Sequence, residues 1–172
     1  VYKSSIDNIS TVANAIANGG TPLNGADGTA GITTFNVTGL SASTTYYFNV
    51  VVADEAGNKT AYTKVSQTTL SISKSITAFS FNSPAATGTI DEAAKTVTIT
   101  VPFGTTVTNL VATFTLSSGA TAKIGATTQV SGTTAKDFTN PVTYTITAED
   151  NSTVNYTVAV NIALSSAKSI LN

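Results

Sequence analysis

From Val142 to Val160 the chain alternates with a period of two. Val142, Tyr144, Ile146 and Ala148 are interleaved with Thr143, Thr145 and Thr147; Glu149 to Ser152 interrupts; Val154, Tyr156, Val158 and Val160 then resume the apolar beat. In a strand, successive side chains point to opposite faces, so this pattern predicts a hairpin with one apolar face and one hydroxyl-bearing face. The same beat recurs at Val97, Ile99 and Val101 between Thr96, Thr98 and Thr100, and at Leu110, Ala112, Phe114 and Leu116. Thr fills 34 of the 172 positions, and its β-branch favours pleated backbone. Short strands at regular spacing predict an all-β chain built of antiparallel sandwiches.

A second pattern divides the chain. Leu70-Ser71-Ile72-Ser73-Lys74-Ser75-Ile76 returns as Leu164-Ser165-Ser166-Ala167-Lys168-Ser169-Ile170, 94 positions later, with five of the seven residues unchanged. A fixed period with an incomplete last unit is the mark of a tandem array. The expected units are 1–70, 71–164 and the start of a further repeat at 165–172. About ninety residues suffice for a small core without staples.

Composition narrows the chemistry. Charged residues are only 10 % of the chain and the net charge is −1, with no basic run. That argues against nucleic acid and against a polybasic membrane contact. Cys and His are both absent. No disulfide framework, thiolate chemistry or usual zinc, copper or haem ligand set is therefore expected, and no cofactor. No apolar run is long enough to span a membrane. The opening Val-Tyr-Lys reads as an internal start, so the lack of a leader says nothing about export.

In residues 1–70, Val1 to Ser5 is β-prone. Asp7 or Asn8 is expected to cap a helix from Ile9 to Asn18 whose inner face is Ile9, Val12, Ala13 and Ile16, with Gly19-Gly20 as its stop. Thr21 to Gly31 reads as a loop, and strand character resumes at Ile32 with Phe35 and Val37 inward. Tyr46, Phe48, Val50 and Val52 are expected on one face of the next strand, Asp54 to Asn58 as its turn, and Lys59 to Thr69 as the return. The run Gly39-Leu40-Ser41-Ala42-Ser43-Thr44-Thr45-Tyr46-Tyr47-Phe48-Asn49-Val50 resembles the corner into the sixth strand of a fibronectin type III domain. That resemblance implies structural roles for Leu40, Tyr46 and Phe48, with the Tyr46 hydroxyl bonded back to nearby backbone. The family's first two strands are missing, along with its core Trp. Either preceding residues were lost, or another chain supplies the strands, or this half is frayed.

Residues 71–164 carry Lys74-Ser75-Ile76-Thr77-Ala78-Phe79, Val101-Pro102-Phe103-Gly104-Thr105, Asn109-Leu110, Asp137-Phe138-Thr139-Asn140-Pro141-Val142-Thr143-Tyr144 and Thr147-Ala148-Glu149-Asp150. These resemble an immunoglobulin-like module of unassigned function found in tandem in bacterial surface lipoproteins and adhesins. The resemblance implies a spacer or adhesive role and no catalytic residues.

Candidate chemistry is sparse. Asp54 with Glu55, Asp91 with Glu92 and Glu149 with Asp150 could offer oxygen ligands to Ca²⁺ or a glycosidase pair. Each sits at a predicted hairpin turn, where acids serve the turn itself. A Ser-His-Asp or Cys-His nucleophile lacks its base. Lys74 could meet Asn161 in an internal amide crosslink if first and last strands adjoin. Asn8, Asn36, Asn58, Asn151 and Asn155 lie in Asn-x-Ser/Thr sequons. The Thr-x-Thr runs could contact ice or glycan, or simply face solvent. The chain is expected to be a non-catalytic structural or adhesive module of an extracellular or surface-bound bacterial repeat protein, a stalk with possible ligand contact at loop tips. Its partners would be neighbouring domains, other copies of itself, or surface glycans and proteins. The alternatives are accessory domains of a secreted polysaccharide-degrading enzyme and a fibre-forming subunit completed by a neighbour's strands.

Overall fold

The structure, a computed structural model, describes residues 1–18 and 36–165. The Gly19-Gly20 stop, the Thr21 to Gly31 loop, the strand onset at Ile32 and Phe35, and residues 166–172 of the C-terminal repeat lie outside the described residues. The chain divides into two compact units, Val1–Leu70 and Ser71–Asn172. Its described elements are strands and one short helix.

The first unit contains β1 (Tyr2–Ser4), α1 (Val12–Asn18), β2 (Thr45–Asn49), β3 (Val51–Ala53), β4 (Lys59–Ala61) and β5 (Val65–Thr68). β2 lies between β1 and β5, antiparallel to both, and β3 pairs with β4 as a separate hairpin. The helix starts three residues later than expected. Asp7 is drawn into an ion pair with Lys64, and Asn8 Oδ1 accepts from Ser4 Oγ at 2.9 Å. Thr11 is left as the cap, its Oγ1 accepting from Asn14 N at 3.1 Å. Ile9 is fully buried but precedes the helix, and Ala15, not Ala13 or Ile16, is the buried helical residue.

The long strand expected from Tyr46 to Val52 is broken. β2 ends at Asn49 and β3 begins at Val51, so the alternation changes phase at Val50. Asn49 is buried with Tyr46, whereas Val50 and Val52 are exposed. The Asn49 amide fixes this phase by donating from Nδ2 to the Ile9 carbonyl at 2.7 Å. The return is likewise two strands rather than one.

The second unit is a two-layer sandwich. Its strands are β6 (Ile76–Asn82), β7 (Ala85–Thr87), β8 (Thr89–Asp91), β9 (Thr96–Val101), β10 (Leu110–Leu116), β11 (Thr121–Ile124), β12 (Thr127–Thr128), β13 (Ala135–Lys136), β14 (Val142–Thr147) and β15 (Thr153–Ile162). One sheet runs β13-β10-β6-β7 and the other β12-β11-β14-β15-β9-β8. The expectation of a purely antiparallel sandwich needs correction. β15 runs parallel to β9, from Thr157 opposite Thr96 to Ile162 opposite Val101. Ten residues long, β15 outruns its hairpin partner β14 and continues along β9.

The core follows the alternation. Ile76, Phe79, Phe81, Leu110 and Ala112 from one sheet meet Val97, Ile99, Val101, Tyr144, Ile146, Tyr156 and Val158 from the other. Edge-to-face ring pairs join the layers, Phe79 with Tyr144 at 5.6 Å, and Phe81 meets Phe138 at 5.3 Å. Burying each such side chain contributes about 1.5–3 kcal/mol. Between β7 and β8 the chain crosses from one sheet to the other at Gly88. Its N–H donates to Phe79 O at 2.8 Å, and a Cβ there would lie 2.9 Å from Val97 Cγ1. Only glycine fits so close a crossing.

Candidate functional site

The Gly39–Val50 corner lies in the first unit. Tyr46 is 8 % exposed, and its hydroxyl accepts from Ser41 N at 2.9 Å. That N–H holds the phenol below its ordinary value. Lys3 Nζ lies 5.4 Å from the ring centroid. Phe48 and Leu40 are half-buried, with the Phe48 ring 6.5 Å from that of Tyr46.

The acid pairs serve the backbone. Asp54 Oδ1 accepts from Asn58 N and Oδ2 from Asn58 Nδ2, both at 2.8 Å, closing the β3–β4 turn. Asp91 Oδ1 accepts from Ala93 N and Ala94 N at 3.0 and 2.9 Å. Asp150 Oδ1 accepts from Ser152 N and Oγ. Hydrogen bonds from Asn58 and Ser152 hold Asp54 and Asp150 below the usual carboxylate range, and Lys95 and Tyr156 do the same for Glu92. A general acid for glycoside cleavage needs the opposite shift. Among the described residues no three acids come together as a metal cage.

Two of these acidic turns do converge, at the end of the sandwich where β6 begins. The Ser71–Ser75 lead-in runs between them. Ser71 N donates to Glu149 Oε2 at 2.8 Å, and Asp150 N donates to Ser71 O at 3.3 Å. Lys74 Nζ donates to Ser152 Oγ at 2.9 Å. Ser75 Oγ donates to Glu92 Oε1 at 2.9 Å, and Ser75 N donates to Ser117 Oγ at 2.9 Å. Glu92 also accepts from Tyr156 OH and pairs with Lys95, whose Nζ lies 5.3 Å over the Tyr156 ring. Gly119, at φ +75°, leaves the space that the Glu149 side chain fills. These contacts form a latch on the lead-in. Composition did not point to it, but the repeated Ser and Lys positions carried the signal.

The proposed Lys74–Asn161 crosslink does not form. Lys74 meets Ser152 at the start of β15, whereas Asn161 stands opposite Thr100 near its far end. Nine residues of strand separate Ser152 from Asn161, about 30 Å at ~3.3 Å per residue.

The Thr-x-Thr runs land on the outer face of the larger sheet. Thr143 stands opposite Thr157, which stands opposite Thr96; Thr145 faces Asn155, and Thr147 faces Thr153. Tyr144 and Tyr156 turn inward, so this face offers hydroxyls and amides without an aromatic platform. A shallow cleft of about 380 Å³ at the other end is lined by Ile124, Lys136, Asp137, Asn140, Pro141, Val142 and Thr143. Its carboxylate is already engaged, since Asp137 Oδ1 accepts from Thr139 N at 2.8 Å and Thr139 Oγ1 at 2.6 Å. Phe103, 66 % exposed, is the large aromatic left in solvent on the β9–β10 connection.

Residues 76–160 match the family described as SGBP, N-terminal. The SGBP match spans the sandwich from β6 into β15 and leaves residues 1–75 outside it. No curated protein matches the chain. A solved structure from Bacteroides thetaiotaomicron VPI-5482, provisionally described as a glycoside hydrolase, is 31 % identical, with a TM-score of 0.43. The likeness covers 54 % of this chain and 26 % of that one, so the chain spans about a quarter of that relative's length. A structure from Bacteroides fragilis NCTC 9343, provisionally described as a secreted protein, is 17 % identical over 67 % of this chain and 88 % of its own, with a TM-score of 0.37. Among the described residues no helix is long and apolar enough to cross a membrane.

Proposed function

We propose that this chain is a non-catalytic part of a bacterial surface or secreted glycan-binding protein, in which the sandwich acts as a spacer. The path of the chain through the second unit carries the reading. It comes in at Ile76, beside Leu116 and the latch, and leaves at Ile162, beside Val101 at the opposite end. Strand β15 alone, ten residues long, covers about 33 Å of that path. A unit threaded from end to end adds its length to whatever it connects. The SGBP match supplies the glycan context, since that family is one of starch- or glycan-binding proteins. The Ser41–Tyr46 bond supports reading residues 1–70 as a fibronectin-like part, and the two-layer core supports an immunoglobulin-like second unit.

The test is affinity electrophoresis of the full chain in gels cast with starch and with a panel of plant and host polysaccharides. A spacer migrates as it does in a gel without glycan. A second reading, ligand contact at a loop tip, is favoured by the exposed Phe103. It requires retardation that Phe103→Ala abolishes, and that result overturns the spacer assignment.

A further inference from the structure

We infer that the Ser71–Ser75 lead-in is a strap that opens and closes on its own while the sandwich stays folded. The connection that follows Leu70 then has a locked and a released state. The strap stands on the latch geometry; its use, to stiffen or free a spacer, rests on the reading above.

The strap puts nothing into the core. No strand includes Ser71–Ser75, Ile72 is 56 % exposed and Ser73 is exposed. The first residue seated in the core is Ile76, at 2 % exposure. What holds the strap is polar. At its outer end the Ser71 N–H donates to Glu149, and the Asp150 N–H reaches the Ser71 carbonyl at 3.3 Å, just past the usual range. At its inner end Lys74 Nζ donates to Ser152 Oγ, Ser75 Oγ donates to Glu92, and the Ser117 N–H donates to the Ser75 carbonyl at 2.9 Å. Releasing these bonds brings little apolar surface into water, and each freed polar group is rehydrated. Opening therefore costs a small part of what unfolding costs.

The seat survives without the strap. Asp150 Oδ1 is occupied by Ser152 N and Oγ. The same turn is closed by Asn151 N donating to Ala148 O at 3.0 Å and Ala148 N donating to Ser152 O at 2.9 Å. Glu92 keeps Lys95 and Tyr156. None of these bonds involves the strap, so both hairpin tips hold their shape when it leaves and can receive it again. On the other side, Leu70 O accepts from Ser43 N at 3.2 Å, within the first unit. Release thus frees a run anchored at Leu70 and at Ile76.

Amide exchange of the full chain, followed by NMR as urea rises below the unfolding transition, tests this. The reference is the Val158 N–H, on a strand paired on both sides. The Ser71 N–H is expected to exchange at least about tenfold slower than in an unfolded peptide and at least about a hundredfold faster than Val158. Its rate should barely change with urea, while that of Val158 climbs steeply, because only the latter reports exposure of the core. Glu149→Gln keeps the shape and an acceptor oxygen but removes the charge. It should quicken Ser71 by about 5- to 20-fold and leave Val158 unchanged. A Ser71 rate that climbs in step with Val158 means that the strap opens only with the sandwich, and an unprotected Ser71 means that it never closes. Either result overturns the inference, as does a Glu149→Gln variant that leaves Ser71 unaltered or quickens Val158 equally. Retardation in a glycan gel removes the spacer use and leaves these rates untouched.

Discussion

Gly88→Ala tests how tightly the sheet crossing is packed. The added Cβ would stand 2.9 Å from Val97 Cγ1 and 3.1 Å from Phe79 O. Carbon atoms normally meet at about 3.5–4.0 Å, so something must shift by more than half an ångström. Val97 has nowhere to go, being fully buried and held between Ile90 and Val158 in the sheet. Phe79 O is equally fixed, since it accepts the Gly88 N–H. Overpacking of this kind costs about 1–3 kcal/mol. Against it stands the gain of about 0.4–1 kcal/mol from a less flexible unfolded chain. The expected net loss is about 1–2 kcal/mol, a fall of roughly 4–16 °C in the melting midpoint of a unit this size. The assay is urea unfolding read at the Ile99 and Ile146 methyls, because two units need not unfold together. Val97→Ala alone costs roughly 2–3 kcal/mol. In the double variant, the missing Cγ1 admits the new Cβ, and the losses fall short of their sum by at least about 0.5 kcal/mol. A Gly88→Ala protein as stable as the parent, or strictly additive losses, refutes the packing account.

Glu92 gives a pH prediction. Its carboxyl is held below the ordinary 4.5, first by Lys95 and then by Tyr156 and Ser75. A depressed folded value stabilises above the unfolded pKa and is lost as pH falls through the folded one. Urea midpoints of the second unit should therefore drop below about pH 4.5, and Glu92→Gln should flatten part of that slope. Asp137 and Asp150, held down by Thr139 and Ser152, keep the remainder, and an unchanged slope in the variant contradicts the network. In the first unit, Asn49→Ala removes the donor from the buried Ile9 carbonyl, a loss of about 1–3 kcal/mol. Amide exchange across Tyr2–Ser4 should quicken by about tenfold or more, and unaltered protection there denies Asn49 its anchoring role.

What was legible in the sequence depended on which force set each segment. The second unit obeys alternation, because its longer strands each have one side against a common core. The predicted inner faces at Val97–Val101 and Val142–Val160 accordingly match the buried ones. Among the described residues of the first unit, the core cluster is Tyr2, Ile9 and Ala15 with flanking Tyr47 and Val51. So few apolar groups leave polar contacts to decide, and Asn49, Asp7 and Asn8 moved a strand phase and a helix start that periodicity had placed otherwise. The parallel β15–β9 pair was invisible for another reason. Alternation states which face is buried, not which neighbour lies alongside. The acids were seen as turn residues, as they are, but their grip on the lead-in depends on two hairpins meeting at one end.

The lengthwise pairing of β15 with β9 has a consequence under tension. A pull that arrives at Ser71 and departs at Ile162 runs along the strands, and the inter-strand bonds lie across it. Those bonds are loaded in shear, many at once, instead of being unzipped one by one. Thr157 and Val158, seated between β14 and β9, would have to slide past both neighbours together before the sheet could part. A sandwich loaded in this way yields late and abruptly.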